Sequence, residues 1–357
     1  MMRKLAGCIL GIAMVLSLLA VPMLLDSYTA YAADGDIGSQ IDSESLSAGK
    51  TYSTAKVQHV YDGIFVVSFE GGDDDGWVET FQVESDGTFS GSPSIEEWEF
   101  DGDEVEFIRL LRIGTSNYWS VTYAKGAYST GSDGYTFTFY ISNAGDITTS
   151  ETDSLTWRDK GADSTAADAA ICAMENGVYA VVYRDYNPGT TFRMCTFSMD
   201  DSGNISDAVA DEQELDSSTG GNVRPDIVST YGGVVIVYSD SDNGKLLGWP
   251  ISNGGDIGAA SEGSWTFQST TCRDPRVISN GGGIHTVVYQ GPDSDGFLKT
   301  TCVSYTTIIR KSATYNELIS NLAVGDSQEW GIAMYVPTAA LGSSEVSGTI
   351  TLTATAG

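Results

Sequence analysis

Tyr179-Ala180-Val181-Val182-Tyr183 is a short apolar run closed by an aromatic, the composition of a buried strand. It recurs as Phe65-Val66-Val67-Ser68-Phe69, Trp119-Ser120-Val121-Thr122-Tyr123, Val234-Val235-Ile236-Val237-Tyr238 and His285-Thr286-Val287-Val288-Tyr289, with the closing aromatics 54, 60, 55 and 51 residues apart. After four of these runs comes a glycine turn: Ser85-Asp86-Gly87-Thr88-Phe89, Ser142-Asn143-Ala144-Gly145-Asp146-Ile147, Asp201-Ser202-Gly203-Asn204-Ile205 and Ser252-Asn253-Gly254-Gly255-Asp256-Ile257. A further strand then carries Trp98, Trp157, Leu215 or Trp265. Each unit thus holds four short strands, A to D, with the quoted run as B. Four antiparallel strands in about 50 residues is the spacing of a propeller blade. The chain is predicted to be all-β, a five-bladed β-propeller.

The fifth unit has strands A, B and C but no glycine turn and no D strand. Its missing part is predicted at the other end: Gly35-Asp36-Ile37-Gly38 repeats Gly255-Asp256-Ile257-Gly258, and Leu46 stands 9 residues before Ala55, where the first A strand begins. Residues 33–50 are therefore expected to supply the outer strand of blade five and to close the ring, protecting edges that a linear stack would expose.

Met1-Met2-Arg3-Lys4 precedes an uncharged run from Leu5 to Leu25, and Ala30-Tyr31-Ala32 follows as a small-residue cleavage site. Residues 1–32 read as a secretory signal peptide, with a retained membrane anchor as the alternative. The expected location is secreted or cell-surface, with no membrane contact after cleavage. Residues 33–305 form the propeller and 306–357 a separate C-terminal β-strand module. In that module Ser347-Gly348-Thr349-Ile350-Thr351-Leu352-Thr353-Ala354 alternates as a half-buried strand. With Trp330 and Val336-Pro337 it resembles the last strands of immunoglobulin-like sandwich modules. Some 50 residues are few for an independent core, so the module either packs on the propeller or donates its strand in self-association.

Of the 357 residues 48 are acidic, 31 of them Asp, against 18 basic, a net charge of −30. Such a chain repels polyphosphate, which excludes nucleic acid as a partner. Hydrophobic residues at 41% and charged residues at 18% exclude an acidic disordered chain. Beyond the predicted signal the cysteines are Cys172, Cys195, Cys272 and Cys302. Cys172 and Cys195 are predicted on strands A and C of blade three, about 9.6 Å apart across strand B, too far for a disulfide. Cys195 and Cys302 are placed at similar C-strand positions in non-adjacent blades, and only Cys272 is free to reach Cys302. No Cys-x-x-Cys spacing points to zinc. His59 and His285 are the two histidines, and His285, heading a core strand, reads as structural. A serine or cysteine nucleophile system has almost no material.

Two candidate sites remain. Carboxylates near the A strands, Glu104, Glu106, Asp168, Asp226 and Asp274, would converge where the inner strands meet. If the protein is a glycosidase, Asp226, Asp274 and Glu106 are its acid/base candidates. The Asp274-Pro275 step looks like the Asp-Pro of five-bladed glycosidases, but Arg224-Pro225-Asp226 marks it equally as a blade-start turn. The second site is the B–C hairpin rim. There Trp77, Tyr135 and Phe297 follow Asp75-Gly76, Asp133-Gly134 and Asp295-Gly296, giving flat apolar faces beside Asp75, Asp133 and Asp295 for a sugar ring. The alternative is that Asp-Gly makes the hairpin and the aromatic packs on strand C. These turns lack the ligand set of a calcium loop, so no cofactor is expected beyond weak calcium.

The whole resembles secreted five-bladed β-propeller repeat proteins of microbial surfaces. The resemblance implies a non-enzymatic recognition or adhesion protein, carbohydrate-directed, whose partner is an extracellular glycan or surface polymer. The alternatives are a glycoside hydrolase using channel carboxylates and a structural surface or filament subunit.

Overall fold

A computed structural model of the chain describes residues 42–43, 53–90, 94–126, 132–159, 166–185, 191–217 and 223–303. The predicted signal segment and C-terminal module lie outside these residues, as does the 33–50 strand except for Asp42 and Ser43. Those two belong to a unit of their own, 1–44, in which the Ser43 N–H donates to Asp42 at 2.8 Å.

The described strands form five antiparallel meanders. The first is β1 (Ser53–Tyr61), β2 (Ile64–Glu70), β3 (Gly76–Gln82) and β4 (Glu96–Asp101). The second is β5 (Val105–Arg112), β6 (Tyr118–Lys125), β7 (Asp133–Tyr140) and β8 (Asp153–Arg158). The third is β9 (Ala166–Ala173), β10 (Val178–Asp185), β11 (Thr191–Ser198) and β12 (Asp211–Asp216). The fourth is β13 (Asp226–Thr230), β14 (Gly233–Asp240), β15 (Asn243–Pro250) and β16 (Gly263–Gln268). The fifth has three strands, β17 (Arg273–Gly281), β18 (Ile284–Gln290) and β19 (Gly296–Cys302). The first strands of successive sheets pack together, β1 on β5, β5 on β9, β9 on β13 and β13 on β17. This is the β-propeller that the repeats predict, each quoted run falling on a second strand.

Both faces of each sheet are needed to make this ring. Alternate residues point to the preceding and following blades, so the second strands read as nearly continuous apolar runs. Four seams hold buried apolar clusters. Val66, Val121 and Phe139 fill the first, and Val181, Trp157 and Phe197 the second. Val182, Ile236 and Trp249 fill the third, and Val237, Val287 and Tyr289 the fourth.

A recurring polar latch accompanies the first three seams. Thr80, Thr138 and Thr196 donate their hydroxyls to the carbonyls of Gly145, Gly203 and Gly255 in the next blade, at 2.6, 2.5 and 2.6 Å. In return, the N–H groups of Ile147, Ile205 and Ile257 donate to Glu96, Asp153 and Asp211 at 2.6, 2.7 and 2.8 Å. The glycine turn therefore serves the neighbouring blade as well as its own.

The seam between blades five and one differs. Val57, Ile278, Val288 and Leu298 are 59%, 59%, 46% and 66% exposed, whereas Leu110 and Ile227, which stand where Val57 does, are at 5% and 6%. Val237 and Leu246, which stand where Val288 and Leu298 do, are at 0% and 4%. Among the described residues this apolar face has no cover.

One sequence reading needs correction. Asp-Gly does not form the hairpins of blades one, two and five. Gly76 and Gly296 open strands β3 and β19, and Gly134 is the second residue of β7. The left-handed turn residues are instead Asp74 in blade one and Asp293 and Ser294 in blade five. The glycines are small so that an outer-strand aromatic can lie on them. A Cβ at Gly76 would stand 2.2 Å from the Phe100 ring, at Gly134 2.2 Å from Trp157, and at Gly244 2.3 Å from Phe267. At Gly296 the same space is open.

Cys172, Cys195 and Cys272 are buried free thiols and Cys302 is exposed. Cys172 and Cys195 flank β10, opposite Ala180 and Val181. Cys195 and Cys302 are not equivalent, because Cys302 pairs with Ile284 near the start of its second strand.

Candidate functional site

The first strand of each sheet lines the centre of the ring, and four of the five share one irregularity, β13 pairing in unbroken register. Opposite Phe69, Tyr123, Tyr183 and Tyr289 the register slips by one residue, a β-bulge in β1, β5, β9 and β17. Phe107, Asp168 and Asp274 take the left-handed backbone at φ 58°, 51° and 47°, and Arg224 does so just before β13 at 36°. A bulge re-aims the side chains beside it. Here it brings charged residues that are 50 or more positions apart in the chain to the inner edge.

Glu106 stands immediately before the bulge of β5. Burial, followed by the charges of Glu104, Glu70, Asp168 and Asp74, pushes its carboxyl up to about 7. Its Oε2 is buried without a hydrogen-bond partner, consistent with a carboxyl that keeps its proton. Asp168 lies 2.6 Å from the Arg184 guanidinium, both side chains being 3% exposed. The contact is a buried ion pair rather than an aligned hydrogen bond, since Asp168 Oδ2 has no hydrogen-bond partner. Burial raises the Asp168 carboxyl above its ordinary range, with Arg184 opposing. Asp226 accepts the Val277 N–H at 2.9 Å. Asp274 is held by Arg224 at 2.5 Å on the exposed side. The Glu104 carbonyl accepts the Gly126 N–H at 2.7 Å. Among the described residues Glu106 and Asp226 have no cationic partner within 4 Å, whereas Asp274 has Arg224.

Basic residues also reach the inner edge, and the sequence reading missed them. Lys56, Arg109 and Arg276 lie close enough to feel one another's charge. Burial, then Arg109 and Arg276, pushes the Lys56 amine down to about 8, with Asp226 opposing. Burial, then Arg276, lowers Arg109 to about 10. A sequence signal did exist: Lys56, Arg109, Asp226 and Arg276 each stand 12 to 14 residues before the closing aromatic of the next strand.

The rim aromatics lie on the third strands, directly opposite second-strand aromatics: Trp77 faces Phe69, Tyr135 faces Tyr123 and Phe297 faces Tyr289. Trp77 is half-buried, and a Cβ on Gly71 would meet its ring at 2.9 Å. Tyr135 is half-buried, edge-on to Tyr123 at 5.5 Å, and donates its hydroxyl to Glu151 at 3.0 Å. Phe297 stacks on Tyr289 at 5.5 Å and is 40% exposed. The carbonyls of Asp75 and Asp295 close their turns by accepting the N–H groups of Gly71 and Gly291 at 2.7 and 2.8 Å, and Asp133 opens β7 opposite Lys125. Among the described residues no group of three His, Cys, Asp or Glu side chains could hold a metal. His285 is fully buried, its Nδ1 3.0 Å from the Gly283 carbonyl, and burial lowers its pKa.

No protein-family profile and no curated protein sequence matches the chain. Solved structures similar to it include a protein of unknown function from Dyadobacter fermentans, at 12% identity and a TM-score of 0.47, covering 74% of this chain and 82% of that one. A GH43 β-xylosidase/α-arabinofuranosidase from a compost metagenome is similar at 12% identity and a TM-score of 0.37, covering 73% and 93%. The β-propeller domain of Nup133 from Vanderwaltozyma polyspora is similar at 8% identity and a TM-score of 0.44, covering 72% of each chain.

Proposed function

We propose that the protein is an exported, carbohydrate-directed glycoside hydrolase working at the inner edge of the ring around Glu106. The observation that carries the reading is that carboxyl, half-buried with its Oε2 enclosed and unpartnered, and pushed up to about 7 by burial and neighbouring acids. Cleavage of a glycosidic bond needs one carboxyl that holds a proton near neutrality and one that stays ionised. Glu106 supplies the proton to the leaving oxygen. Asp226, fixed by the Val277 N–H and close enough to Lys56 and Arg109 to act on their charge, is the second carboxyl. Asp274 serves structure, through Arg224. The substrate is an extracellular glycan, in keeping with the predicted signal peptide.

The test is turnover of a panel of aryl glycosides, pentosides included, between pH 4 and 9. A general acid works only while protonated, so kcat/KM should be high below about 7, the value at which Glu106 loses its proton, and fall above it. Glu106→Gln should lower kcat by about 10²–10⁴-fold with KM little changed. Absence of turnover on every glycoside, or an unchanged rate in Glu106→Gln, rejects the hydrolase.

A second reading, recognition without catalysis, is favoured by Phe297, whose ring is 40% exposed while stacked on Tyr289. On this reading Phe297→Ala abolishes retention on a glycan array. Trp77→Ala and Tyr135→Ala weaken it less, because those rings are half-buried. Unchanged retention in Phe297→Ala rejects it.

A further inference from the structure

Five residues occupy one register position around the ring. Lys56 pairs with Ser68, Arg109 with Thr122, Ala170 with Val182, Asp226 with Val237 and Arg276 with Val288, in each case beside the closing aromatic of the second strand. Equivalent positions on consecutive inner strands share one depth in the channel, so this level carries three cations, one carboxylate and one alanine. Lys56, Arg109 and Arg276 are half-buried, and among the described residues no carboxylate lies within 4 Å of any of them. Lys125, Arg158, Arg184, Arg193, Arg224 and Lys245 each have one, while Arg112 and Lys299 bond to backbone carbonyls instead. Arg109 and Arg276 spend one guanidinium N–H each on the carbonyls of Ile108 and Pro275, at 3.1 and 2.9 Å.

A chain with 48 acids and a net charge of −30 has carboxylates to spare. Gathering three cations with Asp226 as the one carboxylate at their level costs mutual repulsion, which adds to burial in lowering the basicity of Lys56 and Arg109. An oxyanion would relieve it. Two guanidinium forks and an ammonium offer charge-assisted hydrogen bonds in a half-buried setting, and Asp226 holds the formal charge of the level at +2, suited to an anion of one or two charges.

We propose that Lys56, Arg109 and Arg276 form an oxyanion site in the channel that takes the carboxylate or sulfate group of an acidic saccharide. The proposal rests on the channel as the glycan site and does not require hydrolysis.

The experiment is calorimetric titration of the full chain, at fixed ionic strength and pH 6.5, with galacturonate, galactose 6-sulfate, galactose and sodium sulfate. At least one charged sugar should bind about ten-fold or more tightly than galactose. Arg276→Gln should weaken that binding about ten-fold. Asp226→Asn, which keeps an acceptor for the Val277 N–H, should tighten it several-fold, a gain that a misfolded variant could not show. Affinity should fall as pH rises past about 8, where Lys56 loses its charge. Equal affinity for galactose, no binding of either charged sugar, or binding unchanged in both variants overturns the site. Sodium sulfate bound as tightly as the charged sugars, an inorganic ion only, overturns the saccharide assignment. Loss of turnover with this binding intact would reject the Glu106 assignment alone, and turnover of neutral glycosides without it would reject this site alone.

Discussion

Replacing Arg184 with Met is expected to lower the unfolding free energy at pH 7.5 by about 3–5 kcal/mol, the cost of leaving one buried charge without its partner. Arg184 and Asp168 are each 3% exposed and 2.6 Å apart, so water cannot replace the lost cation. The sign of the pH dependence follows from Asp168, whose carboxyl burial already raises while Arg184 opposes. Without Arg184 the folded-state pKa rises further. The native state then holds a proton that the unfolded chain releases, and its stability declines as pH rises. Urea unfolding should therefore show a smaller deficit at pH 4.5 than at pH 7.5. The double variant Asp168→Ala/Arg184→Met should recover much of the loss, because neither charge is then orphaned. A loss under about 1 kcal/mol, or a deficit that grows on acidification, would contradict the buried pair.

A chain lacking residues 34–50 is expected to lose cooperative unfolding and to aggregate. Among the described residues four sheets have four strands and the fifth has three, so without residues 34–50 β19 would be an edge able to pair with other chains. Gly296 stands where Gly76, Gly134 and Gly244 accept an outer-strand aromatic, and has nothing within 4 Å of a Cβ. Beside it, Val57, Ile278, Val288 and Leu298 remain exposed where their equivalents in other blades are buried. Burial of such side chains is worth about 1.5–3 kcal/mol each, a large part of the stability of an ordinary domain. Residues 33–50, whose Gly35-Asp36-Ile37-Gly38 repeats the blade-four turn Gly255-Asp256-Ile257-Gly258, are expected to supply the fifth sheet's fourth strand. Thermal unfolding and gel filtration of the truncated chain decide the matter. An unchanged midpoint and a monomeric profile would reject closure of the ring by this segment.

The blade pattern was legible because it is local. The five B runs lie on β2, β6, β10, β14 and β18, and Trp98, Trp157, Leu215 and Trp265 lie on the fourth strands, since each strand had to bury apolar residues toward two neighbours. The glycine turns were legible as turns, but not as latches to the next blade. Gly145 is 65 residues from Thr80, and nothing in either local stretch records the other. Asp-Gly was misread for a related reason. The dipeptide has a strong intrinsic preference for hairpins, while its glycines are selected by the rings of Phe100 and Trp157 in strands still to come.

The candidate site was legible only in part. Glu106, Asp226 and Asp274 were named from their places near the inner strands, but their differing states depend on what surrounds them. Glu106 meets other acids, Asp226 meets a backbone N–H, and Asp274 meets Arg224. Lys56, Arg109 and Arg276 were not seen as a group because no two share a blade.

Taken alone, the amino-acid order determined the all-β class, the five-fold repeat and the strands of each unit, since apolar periodicity and turn chemistry act within a few residues of one another. Only the tertiary structure decided which charges meet. The pairing register of the inner strands, bulged in four of the five blades, brings residues 50 or more positions apart to one level, where burial and neighbouring charges shift the basicity of Lys56 and Arg109.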